Sequence, residues 1–343
     1  MAWEKLGTAS VGGSVANTSW KELGRQTLSS SGDVMTTGTI TAKDNLMILY
    51  YGVADGDMIN KLTFNDDTGN NYAYRLSDGN ASDTTTTSNA FLEFATSTTS
   101  NEFSVANVVN VATQEKLVQL NHAGQNTAGA GTAPRIRELV GKWANTSNAI
   151  TKVTATNSQS GSFGSGSELV VLGFDNDEAD SGTNFWQELA DVTYSGGDTL
   201  NSGVFTAKNY LWVRIHGIAN GNFDNVKIRF NNYNDSSYAY IHGSNGGGGS
   251  NNTSDSGINY VGTNGAQDHF VDMFIFNKSD KEKLAHIEQL RASDAGAGNT
   301  PARKEVVGKW ANTSNQITNI RLNNQVAGGD AASGSFIKVY GAD

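Results

Sequence analysis

A chain of 343 residues is long enough for two domains with separate cores. With 39 Gly against 2 Pro, 17% charged residues and an excess of Ser, Thr, Asn and Asp, it feeds strands and turns and starves helices. A net charge of −10 without any Lys/Arg cluster argues against non-specific nucleic-acid binding, the lack of cysteine excludes disulfides and thiolate zinc sites, and no apolar run approaches the ~18–20 residues of a membrane-spanning helix.

The first residues, Met1-Ala2-Trp3-Glu4-Lys5, lack the apolar core of a secretory signal, so the expectation is synthesis in the cytoplasm. Residues 1–19 read as an N-terminal arm in which Trp3-Glu4-Lys5-Leu6-Gly7 echoes Trp20-Lys21-Glu22-Leu23-Gly24. A first unit then spans 20–177. Its Leu46-Met47-Ile48-Leu49-Tyr50-Tyr51 reads as a buried strand. Lys61-Leu62-Thr63-Phe64 enters the turn Asn65-Asp66-Asp67-Thr68-Gly69-Asn70-Asn71 and leaves through Tyr72-Ala73-Tyr74, which predicts a hairpin. The low-complexity stretch 82–88 predicts a surface loop. Further strands follow near 103–111 and 168–173, with Ala128-Gly129-Ala130-Gly131 and Pro134 between them.

An acidic stretch, 178–185, reads as a linker. A second unit, 186–343, repeats the plan: Tyr210-Leu211-Trp212-Val213-Arg214-Ile215, then Lys227-Ile228-Arg229-Phe230, a turn through Tyr233, Tyr238-Ala239-Tyr240, and a Gly-rich loop at 246–252. Ala295-Gly296-Ala297-Gly298 precedes Pro301 just as its counterpart precedes Pro134, and these are the two prolines of the chain. The strongest repeat is Val140-Gly141-Lys142-Trp143-Ala144-Asn145-Thr146-Ser147-Asn148, which returns unchanged as 307–315. About eight strands per unit and no convincing helix predict an all-β chain of two tandem jelly-roll-like antiparallel β-sandwiches arising from an internal duplication.

Chemistry is sparse. His122, His216, His242, His269 and His286 have no histidine opposite them in the other unit, which argues for surface or loop histidines and against a duplicated catalytic site; no catalytic residue is assigned. Glu115 with Glu282, and Glu138 with Glu305, are acids shared between the units, and each neighbours a Lys or Arg, so ion pairs at strand ends are expected. Asp66 and Asp67 lie in an oxygen-rich turn that calcium would accept, although Asx-turn chemistry explains the turn without an ion. The repeated Lys142, Trp143, Asn145 and Lys309, Trp310, Asn312 read as a structural corner: Trp buried at a sheet edge, Asn turning the chain, Lys covering the ring. Trp212 and Tyr233 are the aromatics that loops would offer to a glycan.

As a set, 20–25, Ser31-Gly32-Asp33, 64–72 and 128–148 resemble a group of virion-associated proteins of marine viruses, chiefly tailed phages, over essentially the whole chain. The second unit departs at Asn232-Tyr233 and in its Gly-rich loop. The resemblance implies a non-enzymatic structural protein of the virion, made in the host cytoplasm: capsid decoration or a head or tail appendage. Its partners would be other virion proteins and further copies of itself. The alternative expectation is a carbohydrate- or host-surface-binding module of the tail-fibre kind.

Overall fold

A computed structural model describes residues 19–97, 99–177, 184–221, 223, 225–260, 268–292 and 297–343. Apart from Ser19 the N-terminal arm lies outside the described residues, as does most of the expected linker. No helix occurs among the described residues, and the chain divides into two compact units. The first comprises Met1–Asn126 and Arg135–Trp186; the second comprises Thr127–Pro134 and Gln187–Asp343. The boundary therefore falls one residue past the expected linker, and the loop carrying the first Ala-Gly-Ala-Gly belongs with the second unit.

The first unit contains β1 (Lys21–Thr27), β2 (Val34–Thr36), β3 (Asn45–Gly52), β4 (Ala54–Asp55), β5 (Met58–Phe64), β6 (Tyr72–Asp78) and β7 (Thr84–Asn89). It continues with β8 (Leu92–Ser97), β9 (Glu102–Val109), β10 (Lys116–Gly124), β11 (Arg135–Trp143), β12 (Val153–Asn157), β13 (Ser162–Phe163) and β14 (Glu168–Phe174). The second contains β15 (Gln187–Thr193), β16 (Thr199–Asn201), β17 (Tyr210–Gly217), β18 (Ala219–Gly221), β19 (Lys227–Phe230), β20 (Tyr238–Ser244) and β21 (Gly247–Asp255). It ends with β22 (Ile258–Asn259), β23 (His269–Phe276), β24 (Lys283–Arg291), β25 (Ala302–Trp310), β26 (Ile320–Asn323), β27 (Gly329–Ala331) and β28 (Phe336–Ala342).

Among the described residues each unit is a β-sandwich. In the first, an eight-stranded antiparallel sheet ordered β1-β14-β3-β9-β10-β11-β6-β7 faces a four-stranded sheet ordered β2-β12-β5-β8. The second has the same order at matched places, β15-β28-β17-β23-β24-β25-β20-β21 and β16-β26-β19-β22. Alternation fixes which side chains meet between the sheets. In β5, Met58, Asn60, Leu62 and Phe64 are buried while the residues between them are half-buried. Met58, Leu62 and Phe64 meet Ile48 and Tyr50 of β3 and Leu120 of β10 in one core cluster.

Two expectations change here. β5 and β6 do not form a hairpin, because they belong to opposite sheets, and the 65–71 turn carries the chain across the sandwich. Asn65 and Asp66 take positive φ (52° and 57°), a conformation Asn and Asp tolerate, and reverse the chain. Phe64 and Tyr72 then enter the same core from the two sheets, and the Phe64 N–H donates to the Tyr72 hydroxyl at 2.9 Å. The second unit repeats the crossing, Phe230 N–H to the Tyr238 hydroxyl at 2.8 Å. The low-complexity stretches are also not plain loops. Thr84–Asn89 and Gly247–Asp255 are edge strands paired to β6 and β20. Backbone ladders need no apolar side chains, and a polar edge resists further pairing. These edges and several two- and three-residue strands account for fourteen strand segments per unit among the described residues, where eight are expected.

Candidate functional site

The repeated signature is spent on a packed corner. Trp143 and Trp310 end β11 and β25, which lie inside the large sheets and not at their edges, and both are fully buried. Each indole packs among matched rings: Trp143 with Phe64 and Tyr72, Trp310 with Phe230 and Tyr238. The indole N–H groups find different partners. Trp143 donates to the Asp67 carboxylate at 2.6 Å, Trp310 to the Ser237 hydroxyl at 3.1 Å. Asn145 and Asn312 turn the chain as expected, each Oδ1 accepting two backbone N–H groups (Ser147 and Asn148; Ser314 and Asn315).

The lysine over each Trp is not the one the motif contains. Successive strand residues point to opposite faces, so Lys142 and Lys309 face away from the neighbouring Trp. Lys116 and Lys283, from the adjacent strands, place Nζ 5.6 and 5.9 Å from the ring centroids. Each donates to three backbone carbonyls, in the first unit Ala112 (2.9 Å), Gln114 (2.8 Å) and Asn145 (2.7 Å). Burial pushes the Lys283 ammonium down to about 8. Two further matched residues were missed by the sequence reading. Asn110 and Asn277 each accept the N–H of the buried Ile150 or Ile317 at 2.6 Å and donate to the same residue's carbonyl. Their equal distance before the repeated signature was the available signal.

Asp66 and Asp67 are both engaged by groups of their own unit. Asp66 pairs with Lys152 at 2.8 Å. Asp67 accepts from Trp143, Asn71 and the Gly69 N–H, which outweigh burial and hold its carboxyl below the usual range. No group of three or more His, Asp or Glu residues placed to hold a metal occurs among the described residues. Trp212 lies within strand β17 and not on a loop; it is 7% exposed, stacked on Phe274, and donates to Asp272 at 2.6 Å. Tyr233 is 37% exposed, with its ring centroid 5.3 Å from that of Trp310. The structure thus does not bring the two aromatics together as a loop platform.

Three histidines correct the surface expectation. His122, His269 and His286 are buried on strands. His122 belongs to a cluster inside the first sandwich. Its Nδ1 lies 2.9 Å from the Ser104 hydroxyl and its Nε2 3.6 Å from Glu102. The Tyr50 hydroxyl donates to Glu102 at 3.1 Å, and Asn60 hydrogen-bonds both. Burial pushes the Glu102 carboxyl up to about 8, against the pull of the Tyr50 and Asn60 hydrogen bonds and of Arg137 and Arg135. Gly52, directly across from Glu102, is required, since a Cβ there would lie 2.3 Å from the Tyr50 hydroxyl. The nearby cavity, lined by Ile48, Tyr50, Leu62, Phe94, Ser104, Ala106, Leu120 and Leu169, holds about 10 Å3, at most one water. This cluster organises a core and has no room for a substrate.

The outward face of the first unit's large sheet is different. Val109, Leu117 and Lys142 lie directly opposite one another on β9, β10 and β11, with Val140 diagonal to Leu117 on the same face. Val109, Leu117 and Val140 are 48%, 58% and 54% exposed. Lys142 pairs with Glu115 at 2.9 Å beside them, so this shared acid does form an ion pair, but with a lysine from the adjoining strand and not with its sequence neighbour, and both side chains stay open to solvent. At the same register in the second unit Phe276, Leu284 and Val307 are all 0% exposed, and Lys309 and Glu282 are buried too. The same sheet position is therefore an open apolar patch in one unit and a covered one in the other.

No family model matches the chain, and no curated protein matches it. Among solved structures it is weakly similar to mouse laminin alpha1 chain domains LG4-5, at 9% identity and a TM-score of 0.18 over 97% of this chain and 92% of that one. A human SPRY domain follows at 12% identity and a TM-score of 0.14, over 46% of this chain and 99% of that one. Human GIVD cytosolic phospholipase A2 gives 8% and 0.11, over 79% and 33%. Overlaps this low carry no argument about fold or function.

Proposed function

We propose that the chain is a non-enzymatic structural protein of a virion, serving as capsid decoration or as a head or tail appendage. The observation that carries this reading is the open patch of Val109, Leu117 and Val140 beside the Lys142–Glu115 pair, on the outward face of the large sheet. A contiguous apolar patch on a folded surface marks a protein contact. The repeated motif and the buried polar cluster, by contrast, are absorbed by packing. The two sandwiches, in this reading, descend from one jelly-roll-like sandwich by duplication; the shared strand order and the identical Trp corner support it. Particle assembly supplies the biological setting because the sequence resemblance points there. The test is quantitative mass spectrometry of purified particles of the encoding virus, scaled to the major capsid protein. Hundreds of copies per particle mean shell decoration and a few to tens mean an appendage, whereas absence from particles overturns the reading.

A further inference from the structure

We propose that the open face of the first unit is a socket for the 295–301 loop of a second copy of this chain, so that copies join head to tail. The inference rests on the chain's own geometry and goes beyond the virion reading.

The second unit shows what such a socket holds. There the segment Thr127–Pro134 belongs to the compact unit and is anchored at three points. The Gly129 N–H donates to Glu282 Oε1 at 2.6 Å, Lys309 Nζ donates to the Thr127 carbonyl at 2.6 Å, and the Ser254 N–H of edge strand β21 donates to the Ala130 carbonyl at 2.8 Å. The Lys309–Glu282 separation is 3.9 Å, against 2.9 Å for Lys142–Glu115. The covered pair has opened, each partner taking one backbone group of the loop. A cation takes a carbonyl and a carboxylate takes an N–H, both charge-assisted bonds. Gly129 sits at φ 85°, a conformation that favours glycine.

Every part of this arrangement recurs. Glu115 and Lys142 match Glu282 and Lys309, and Leu117 and Val140 match Leu284 and Val307. The edge strand has its counterpart in β7. The loop recurs in sequence as Ala295-Gly296-Ala297-Gly298 ahead of Pro301, with Gly296 in the place of Gly129; Ser293 to Gly296 lie outside the described residues. One chain thus contains one occupied socket, one open socket and one further loop sequence. Among the described residues nothing covers the open face, and Leu117 and Val140 stay 58% and 54% exposed. A contact between unlike surfaces is heterologous, and repeating it closes a ring or extends a filament according to its rotation.

The experiment is sedimentation of the full chain and two variants, with far-UV circular dichroism confirming that each is folded. Leu117→Asp places a charge on the exposed socket. Gly296→Pro removes the N–H that Glu115 would accept, at the position that matches Gly129 in sequence. The wild type is expected to sediment as a multimer and each variant as a monomer. An equimolar mixture of the two is expected to give a dimer, because one copy keeps its loop and the other its socket. A second socket variant, Glu115→Ala, is expected to raise the dissociation constant about tenfold or more. Four outcomes overturn the proposal: a monomeric wild type at about 100 µM; assembly that Leu117→Asp abolishes but Gly296→Pro does not, which would mean two sockets face to face; assembly that withstands Leu117→Asp; or a mixture that stays monomeric. Each of these leaves the particle measurement to decide the virion reading separately.

Discussion

Glu102→Gln is expected to stabilise the protein at alkaline pH and to leave it nearly unchanged at pH 5. Glu102 is buried between the sheets, and its carboxyl moves from an ordinary 4.5 to about 8 on folding. Between those values the folded state holds a proton that the unfolded state has released. The folded state therefore binds more protons, and stability falls as pH rises. At about 1.4 kcal/mol per pH unit the loss accumulates to about 5 kcal/mol by pH 8. Glutamine keeps the size and the acceptor for Asn60 and Tyr50, and His122 can exchange its proton between Nδ1 and Nε2 to match the amide. Urea unfolding at pH 5, 6, 7 and 8, followed by tyrosine and tryptophan fluorescence, reads the slope directly. The wild type is expected to lose stability steeply across that range, and the variant to lose most of the slope. Equal slopes would refute the reasoning, as would a variant weakened alike at pH 5 and pH 8, because either result would mean that Glu102 is ionised in the fold.

Other perturbations test the corner and its turn. Trp143→Phe and Trp310→Phe remove the same pyrrole edge from matched sites, but the first also strips a charge-assisted bond to Asp67 and the second a neutral one to Ser237; calorimetry of the two variants should show Trp143→Phe costing about 1 kcal/mol more, and equal losses would argue against it. Lys116→Met leaves three carbonyls without their ammonium donor and is expected to cost about 3 kcal/mol in urea unfolding, despite the added apolar surface; a neutral result would show that water replaces it. Addition of calcium or of a chelator should leave the melting temperature unmoved, since Asp66 and Asp67 are already engaged by Lys152, Trp143, Asn71 and Gly69; a rise with calcium would restore the turn as a cation site.

The strands most legible in the sequence are those whose side chains decide their environment. The run 46–51 is buried on both faces and reads as a strand from composition alone. The Asn145 and Asn312 turns are local, so neighbouring residues suffice to foresee them, whereas Glu115 pairs with Lys142, 27 residues along the chain, and not with the lysine beside it. What stayed hidden depends on partners far along the chain. Whether β5 and β6 share a sheet is decided by which strands flank each, not by the turn between them. Thr84–Asn89 becomes a strand because β6 offers an unpaired edge; the β-propensity of Thr permits this, but the low complexity of the stretch hides the partner. Trp212 is expected as a loop aromatic, yet it lies in β17, where Phe274, Tyr340 and Asp272 from the flanking strands close around it, and those partners lie far along the chain. The role of Lys116 over Trp143 was missed because the motif contains its own lysine, and strand parity sends that one to the other face.

The two units also differ where their sequences diverged, and the difference has a thermodynamic consequence. At the core position where the first unit places Glu102 across from Gly52, the second places His269 across from Gly217. Around it, Ile215 stands for Tyr50, Val226 for Asn60 and Val271 for Ser104, so an apolar wall replaces most of the polar cluster. Tyr260 completes it, its hydroxyl 2.9 Å from His269 Nε2. The second unit does carry a buried acid elsewhere: burial pushes Asp272 up to about 6, so its share of stability falls as pH rises only to about that point. Burial also holds Lys283 and Lys304 down at about 8; their unfolded states bind the proton more tightly, and their contribution therefore rises with pH from about 8 upward. Between pH 6 and 8 the first unit keeps losing stability through Glu102 while these groups of the second stay level. Alkaline unfolding should therefore begin in the unit that keeps the polar core, although the two share one strand order and one Trp corner.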